Sequence, residues 1–343
     1  MQLFRDLGEI PADFGPTALT IGNFDGVHRG HQAVLERIVT DARNRGQASV
    51  AVTFDPHPAT VHRPSEAPRQ ITGLDERLRR LEATGLDAVL VQHYTLELAK
   101  QSAEEYVRSV FVDALHATTV VVGRDVRFGW QNSGDLDTLR ELGRTYGFDV
   151  RVIDDIGALP EGTDNCAGSG AASEPGDGHG GRWSSSHIRD LLTAGDVAEA
   201  ARMLGRAHIV SGTVVHGEAR GRDLGFPTAN IGPDAEGLIP ADGVYAGWLV
   251  TEGRKHPAAI SVGTNPTFDR VRRRVEAHVI DRHDAHVDDF DLYGKYVVVE
   301  FVARLRGMVA YRGMEPLIEQ MTRDVVDTRA ALGLPSAHGT SVN

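Results

Sequence analysis

The chain has 343 residues, 41% hydrophobic and 24% charged, a length for about two domains and a composition able to bury real cores. Asp and Glu number 48 against 36 Lys and Arg, a formal net charge of -12; this argues against a nucleic-acid partner but leaves small phosphorylated ligands open, because local groups hold those. The single cysteine, Cys166, excludes an internal disulfide framework or a cysteine-based metal cluster and fits a reducing cytoplasm. The polar start MQLFRDLGEIPADFG lacks a signal-peptide core and no run of 18 apolar residues occurs, so neither export nor a membrane span is expected.

In chain order, short apolar runs at residues 17–21, 49–53, 88–92 and 118–122 predict strands buried on both faces. Between the first two, Val34, Leu35, Ile38, Val39 and Ala42 recur at helical spacing over 31–45, with Gly46 as a stop. This alternation predicts a parallel α/β sheet. Residues 160–181 hold seven glycines and no large apolar side chain, and read as a loop. One helix is predicted over 186–204, a possible connection between domains. Beyond Gly205, short runs at 209–215, 244–250, 258–262, 275–280 and 296–302 are punctuated by Gly, Pro and Asp, which predicts an antiparallel barrel or sandwich. The last element is an amphipathic helix over 315–332, with Pro316 in its first turn and a stripe of Leu317, Ile318, Met321 and Val325. No internal repeat is evident.

Two segments carry chemistry. The first, GNFDGVHRGH at 22–31, lies after a predicted strand and before a predicted helix, where backbone N–H groups and the helix dipole favour phosphate. His28 and His31 share one face of the opening turn, and Gly26 and Gly30 permit close backbone approach. H-x-G-H in this setting resembles the nucleotidyltransferase superfamily, whose members attack the α-phosphate of ATP and release pyrophosphate. The nucleophile there is usually already anionic, so positioning and charge neutralisation carry the catalysis. GRDVRFG (123–129), with Asp125 and Phe128, and SSSHIR (184–189) could complete this pocket, although each also reads as an ordinary loop or cap.

The second segment is GRDLGFPTAN at 221–230, after a strand and the turn 217–221; no Walker A pattern occurs. Thr228 and Asn230 are neutral oxygen donors on one side of an extended stretch and could hold Mg²⁺ together with phosphate oxygens. In VEAHVI (275–280), Glu276 and His278 fall on one face and Val275, Ala277 and Val279 on the other. A carboxylate there could take the proton of an attacking hydroxyl, or the pair could be the wet face of a strand.

Together with TFDPHP (53–58), PADGVYAGW (240–248), SVGTNPTF (261–268), VEAHVID (275–281) and DLYGK (291–295), these segments resemble the bacterial bifunctional riboflavin kinase/FAD synthetases over almost the whole chain. The resemblance implies an α/β Rossmann-like nucleotidyltransferase domain, then a six-stranded antiparallel β-barrel riboflavin kinase domain with a C-terminal helix. It implies an FMN adenylyltransferase domain at 1–186, a connecting helix at 187–205, a kinase domain at 206–335 and a disordered tail at 336–343. Glu276 is expected as the base, and His28 and His31 as the groups on the α-phosphate. ATP and phosphate contacts are expected at Gly22, Asn23, Gly30, Ser185, Ser186, Arg189, Gly217, Gly221, Thr228 and Asn230. Flavin contacts are expected at Asp125, Phe128, Phe54 and Arg306, and Mg²⁺ at Thr228 and Asn230.

The implied ligands are riboflavin, FMN and ATP, in the cytoplasm, with no nucleic acid, no membrane and possible self-association. Three positions depart from the family pattern: Val126 for an aromatic residue, Trp183 and Ser186 around SSSHIR, and Val309-Ala310-Tyr311 after Arg306. Other readings are a chain in which only the kinase half is efficient, or a flavin binder without catalysis. The presence of both residue sets speaks against the binder.

Overall fold

A computed structural model of the chain describes residues 1–153, 183–217, 225–264, 273–280, 291–309, 311 and 313–335. The loop 160–181, Gly221, Ala310 and the tail 336–343 lie outside the described residues, as do Cys166 and residues 265–268 of SVGTNPTF. The chain forms two compact units. One comprises Met1–Pro68 and Leu74–Ser184, the other Arg69–Gly73 and the residues from Ser185 onward.

The first unit is a six-stranded sheet of β1 (Gln2–Phe4), β2 (Thr17–Ile21), β3 (Ala48–Asp55), β4 (Ala88–His93), β5 (Ala117–Gly123) and β6 (Asp149–Ile153). All neighbours are parallel, in the order β1-β4-β3-β2-β5-β6. The four strands expected from the sequence are the four inner ones. Their runs are continuously apolar because both faces are covered. Leu19, Val50, Val52, Leu90, Val120 and Val122 pack on one face with Tyr106, Phe111 and Leu139. Ala51, Val89 and Val91 pack on the other with Leu35, Val39, Leu78 and Leu81. The edge strands β1 and β6 escaped the sequence reading; they are short and half-exposed and carry polar residues.

Helix α1 (Arg29–Asn44) follows β2, buries Leu35, Ile38, Val39 and Ala42, and packs on β2 and β3. Helix α2 (Pro58–His62) follows β3, and α3 (Leu74–Ala83) precedes β4. Helices α4 (Leu96–Ala99) and α5 (Ala103–Tyr106) lie between β4 and β5, and α6 (Leu136–Tyr146) between β5 and β6. Strand order reverses at β2, whose neighbours β3 and β5 lead away on opposite sides. Ligands of open α/β sheets bind in the crevice at the carboxyl ends of the strands flanking such a point.

The helix expected over 186–204 is two helices, α7 (Ser185–Ala194) and α8 (Val197–Leu204). Gly195 adopts φ 86°, a left-handed conformation that stops α7, and the Asp196 carboxylate caps α8 by accepting the Glu199 N–H. Both belong to the second unit, where α8 packs on the barrel.

The barrel consists of β7 (His208–Val215), β8 (Ala229–Ile231), β9 (Gly243–Thr251), β10 (Arg254–Thr264), β11 (Arg273–Val279) and β12 (Tyr296–Arg306). It closes in the order β10-β11-β8-β7-β12-β9 through antiparallel pairs. Five of these strands match the runs read from the sequence. The sixth, β8, is three residues long and begins at the end of GFPTAN, running on to Ile231. Val210, Ile260, Val262, Val275, Ala277 and Phe301 are buried.

Helix α9 (Met314–Ala331) packs on β9, β10 and β12. Leu317, Met321 and Val325 of its expected stripe are part-buried, Ile318 is exposed, and the same face also buries Asp324 and Thr328. The reason is a charge pair. The Arg306 guanidinium grips both Asp324 carboxylate oxygens, at 2.7 and 2.6 Å, and Gln320 donates to the same carboxylate at 3.0 Å. This bidentate bond raises the Arg306 pKa.

His208 is 1% exposed and donates its Nε2–H to the Leu238 carbonyl at 2.7 Å. Burial pushes its pKa down from 6.5 to about 4. As pH falls below 6.5, the unfolded chain protonates this imidazole while the folded barrel keeps it neutral. Stability from this group is therefore present above pH 6.5 and is lost towards pH 4, by roughly 3 kcal/mol for a shift of this size. Urea unfolding of the barrel at pH 7 and pH 4.5 should show the loss, and His208→Gln should reduce the difference between the two.

Candidate active sites

In the first unit, the turn between β2 and α1 rises at the strand reversal. Phe24, Gly26 and Val27 have φ of 47°, 80° and 39°. A β-branched residue in the left-handed region is costly, about 1–3 kcal/mol. Burial offsets it: Val27 is 0% and Phe24 4% exposed, both within the core beneath α1 and α3. The Val27 N–H closes the turn on the Phe24 carbonyl at 3.1 Å and delivers the chain to the start of α1, where the helix dipole favours an anion. Gly22 leaves room for the Phe24 ring, since a Cβ there would lie 3.1 Å from it.

His28 caps α1, its Nδ1 accepting the His31 N–H at 3.3 Å. The neutral ring therefore carries its proton on Nε2. The His28 and His31 rings are stacked, with centroids 3.7 Å apart and planes at 17°. Gly30 makes this possible: a Cβ there would sit 3.1 Å from the His28 ring. Burial, and secondly His28, hold the His31 pKa well below the usual imidazole value. Its Nδ1 is buried and pairs with no group among the described residues. The Arg29 guanidinium lies over the Trp183 ring, 5.6 Å from its centroid, so the stretch entering SSSHIR lies against the start of α1.

The remaining expected residues divide. Asp125 is exposed in the loop after β5, at the same carboxyl edge as the turn. Phe54 ends β3 half-buried, edge-on to Tyr94 at 5.4 Å. Phe128 is 7% exposed, part of the core, with its backbone bridged to Gly134; it packs the unit from within. Val126 packs beside that core. Ser185 and Ser186 open α7, and Arg189 donates Nε–H to the Arg69 carbonyl at 2.9 Å; all three are in the second unit.

Sequence reasoning missed Arg77. It is 1% exposed on α3, donates to the Asn23 carbonyl at 3.0 Å and reaches Asp55 at 3.5 Å. The signal was available: within LDERLRRL, Arg77 shares the helical face of Leu74, Leu78 and Leu81, where a charge is out of place.

In the second unit the barrel register builds the site. Glu276 on β11 pairs with Asn230 on β8 and with Ser261 on β10. Ser261 pairs with Val244 on β9, which pairs with Arg306 on β12. Directly opposed residues share a face, so one row crosses five strands from Asn230 to Arg306. Val275, Ala277 and Val279 alternate inward with 1–6% exposure, leaving Glu276 and His278 on the outer face. That outer face is not simply wet. A cavity of ≈ 260 Å³ is lined by Thr228, Glu276, Arg306, Tyr311, Leu317 and Met321, among others, with α9 as a wall.

The His278 ring bonds the Pro227 carbonyl at 2.9 Å and meets Phe226 edge-on, holding the segment before β8. Asn230 turns its amide nitrogen to the Thr228 carbonyl at 3.4 Å, which leaves its amide oxygen for a cation. Gly217 permits this: a Cβ there would lie 2.6 Å from the Asn230 Cγ. No group of three or more His, Cys, Asp or Glu able to hold a metal occurs among the described residues. Two neutral oxygens therefore suit a hard divalent cation whose other ligands come from phosphate and water.

The FAD synthetase family model matches residues 10–162, and the riboflavin kinase model residues 204–332. Relatives named bifunctional riboflavin kinase/FMN adenylyltransferase include one from Escherichia coli K12, 33% identical over 97% of this chain and 99% of its own length. Another, from Pseudomonas fluorescens, is 34% identical over 98% of this chain and 100% of its own. A crystal structure described as a macrolide-efflux protein from Streptococcus pneumoniae superposes with a TM-score of 0.77 at 27% identity, over 95% of this chain and 98% of that one. No helix among the described residues of this chain is long and apolar enough to cross a membrane. With both family models in this order and relatives matched end to end, the chain belongs to the family of bifunctional riboflavin kinase/FMN adenylyltransferases.

Proposed function

We propose that the barrel unit phosphorylates the 5′-hydroxyl of riboflavin with ATP, and that the sheet unit adenylylates the resulting FMN to FAD with release of pyrophosphate. The carrying observation is the register row that puts Glu276 between Asn230 and Ser261, at the rim of an apolar cavity. The cavity suits the flavin ring, with Arg306 and Tyr311 on its wall. Glu276 takes the hydroxyl proton as the alcohol oxygen forms its bond to the γ-phosphorus and ADP leaves. Thr228 and Asn230 hold Mg²⁺, which would supply charge neutralisation on the phosphates.

In the sheet unit a phosphate oxygen of FMN attacks the α-phosphorus of ATP and pyrophosphate leaves. That nucleophile is already anionic. The chain's task is to place charge: the start of α1, the His28 Nε2–H, and the neutral His31, whose buried Nδ1 has no partner among the described residues. Asp125 serves as a substrate contact on this reading, with Trp183 steadying Arg29.

Purified chain given riboflavin, ATP and Mg²⁺ should yield FMN and then FAD on chromatographic separation; neither product would leave flavin binding alone. Glu276→Gln should slow FMN formation by ~10²–10⁴-fold, the range of general-base catalysis, and leave conversion of supplied FMN to FAD within twofold. His28→Asn should do the reverse, lowering FAD formation by ~10²–10³-fold with FMN formation intact. Gly217→Ala should displace the Asn230 amide, cutting FMN formation roughly ten- to hundredfold and raising the Mg²⁺ concentration needed for half-maximal rate.

A further inference from the structure

Arg77 is among the largest fully buried side chains of the molecule. A guanidinium placed there loses its hydration, and burial accordingly lowers its pKa against the opposing charges of Asp55 and Asp25. Its pairing is incomplete. Nη1 donates to the Asn23 carbonyl at 3.0 Å and Nη2 stands 3.5 Å from Asp55, while Nε is buried without a partner among the described residues. As a stabilising ion pair this is a poor arrangement, and an apolar side chain would fill the face of Leu74, Leu78 and Leu81 at lower cost. The charge therefore has another use.

Its first acceptor indicates what that use is. The Asn23 carbonyl receives a second donor, the Thr53 hydroxyl at 3.2 Å. A peptide is planar and, when trans, points its C=O and N–H in opposite directions. Two donors on the Asn23 oxygen thus fix the peptide that follows and turn the Phe24 N–H away from Arg77. That N–H opens the turn 24–27, in which Phe24, Gly26 and Val27 are left-handed and the Val27 N–H closes back on the Phe24 carbonyl at 3.1 Å, so the turn carries the chain directly into the start of α1. The buried Phe24 and Val27 side chains anchor the turn in the core beneath α1 and α3, and Arg77 with Thr53 fixes the backbone that enters it.

We infer that Arg77 is a positioning residue for adenylyl transfer: by clamping the Asn23 carbonyl it sets the turn 24–27 to receive the phosphates of ATP. This rests on the adenylyltransferase reading above. Arg77 touches no substrate. Lysine in its place keeps the charge but offers one compact ammonium instead of a planar fork, so it cannot hold Asn23 and Asp55 with the same geometry.

The test uses the full chain with Arg77→Lys, Arg77→Gln and Thr53→Val. Riboflavin phosphorylation in the same preparation serves as an internal control of folding. Arg77→Gln should raise the KM for ATP in FMN adenylylation at least tenfold, with a smaller change in kcat and riboflavin phosphorylation within twofold. Arg77→Lys should recover part of that loss, and Thr53→Val should shift KM for ATP two- to fivefold in the same direction. Amide hydrogen exchange should quicken in residues 22–31 and stay unchanged over 36–44.

A parallel fall in kcat and melting temperature with KM for ATP unmoved would assign Arg77 to stability alone and overturn the inference. Unchanged exchange at 22–31 in Arg77→Gln would overturn the clamp whatever the activities are. A wild-type chain that makes no FAD would overturn the adenylyltransferase reading and the role inferred from it, while the exchange measurement still decides the clamp separately.

Discussion

Both candidate sites depend on where apolar side chains are buried, because burial fixes the backbone on which the polar groups stand. In the sheet unit, Phe24 and Val27 lie in the core and hold a turn whose backbone would otherwise relax. In the barrel, Val275, Ala277 and Val279 point inward, so Glu276 must face out. A slip of one residue along β11 would reverse both faces, sending the carboxylate into the barrel and the valines to the cavity. Pairing with β8 and β10 on either side opposes such a slip.

The two sites differ in what they supply. The barrel site joins a carboxylate, two neutral oxygen donors and an apolar cavity, as deprotonation of an alcohol beside a flat ring requires. The sheet site joins a glycine-bearing turn, a helix start and two stacked imidazoles, one of them kept neutral by burial. Its chemistry lies in charge placement, which suits a nucleophile that arrives ionised.

Much of this was legible in the sequence. Four continuous apolar runs gave the inner strands of the sheet, and the alternation in VEAHVI gave the outward Glu276. The edge strands β1 and β6 were not legible, since half-exposed strands carry little hydrophobic signal. Strand β8 was hidden by its length of three residues. Gly195 was present in the sequence within the predicted helix over 186–204, but its left-handed stop shows only with φ in hand. The stripe on α9 was legible in Leu317, Met321 and Val325, which line the cavity, but Asp324 beside them was not: it is inside because Arg306 meets it, a pairing 18 residues apart that no periodicity reveals. Phe128, expected beside the flavin, is 7% exposed and packs with the core cluster, a burial that the loop sequence GRDVRFG does not reveal. Arg77 is the converse, a charge on an apolar face that was visible in the sequence and passed over.

Helix α9 walls the cavity beside Glu276, and it follows all six strands of the barrel in the chain. During synthesis from the amino terminus, the turn bearing His28 and His31 emerges early and Trp183 reaches the ribosome exit well before the barrel is finished. The cavity beside Glu276 gains its wall only after α9, which follows every strand of the barrel, has emerged. The order in which the sites are completed on the ribosome is thus opposite to the order in which a flavin would pass through them, and a nascent chain would hold the second catalytic centre before the first.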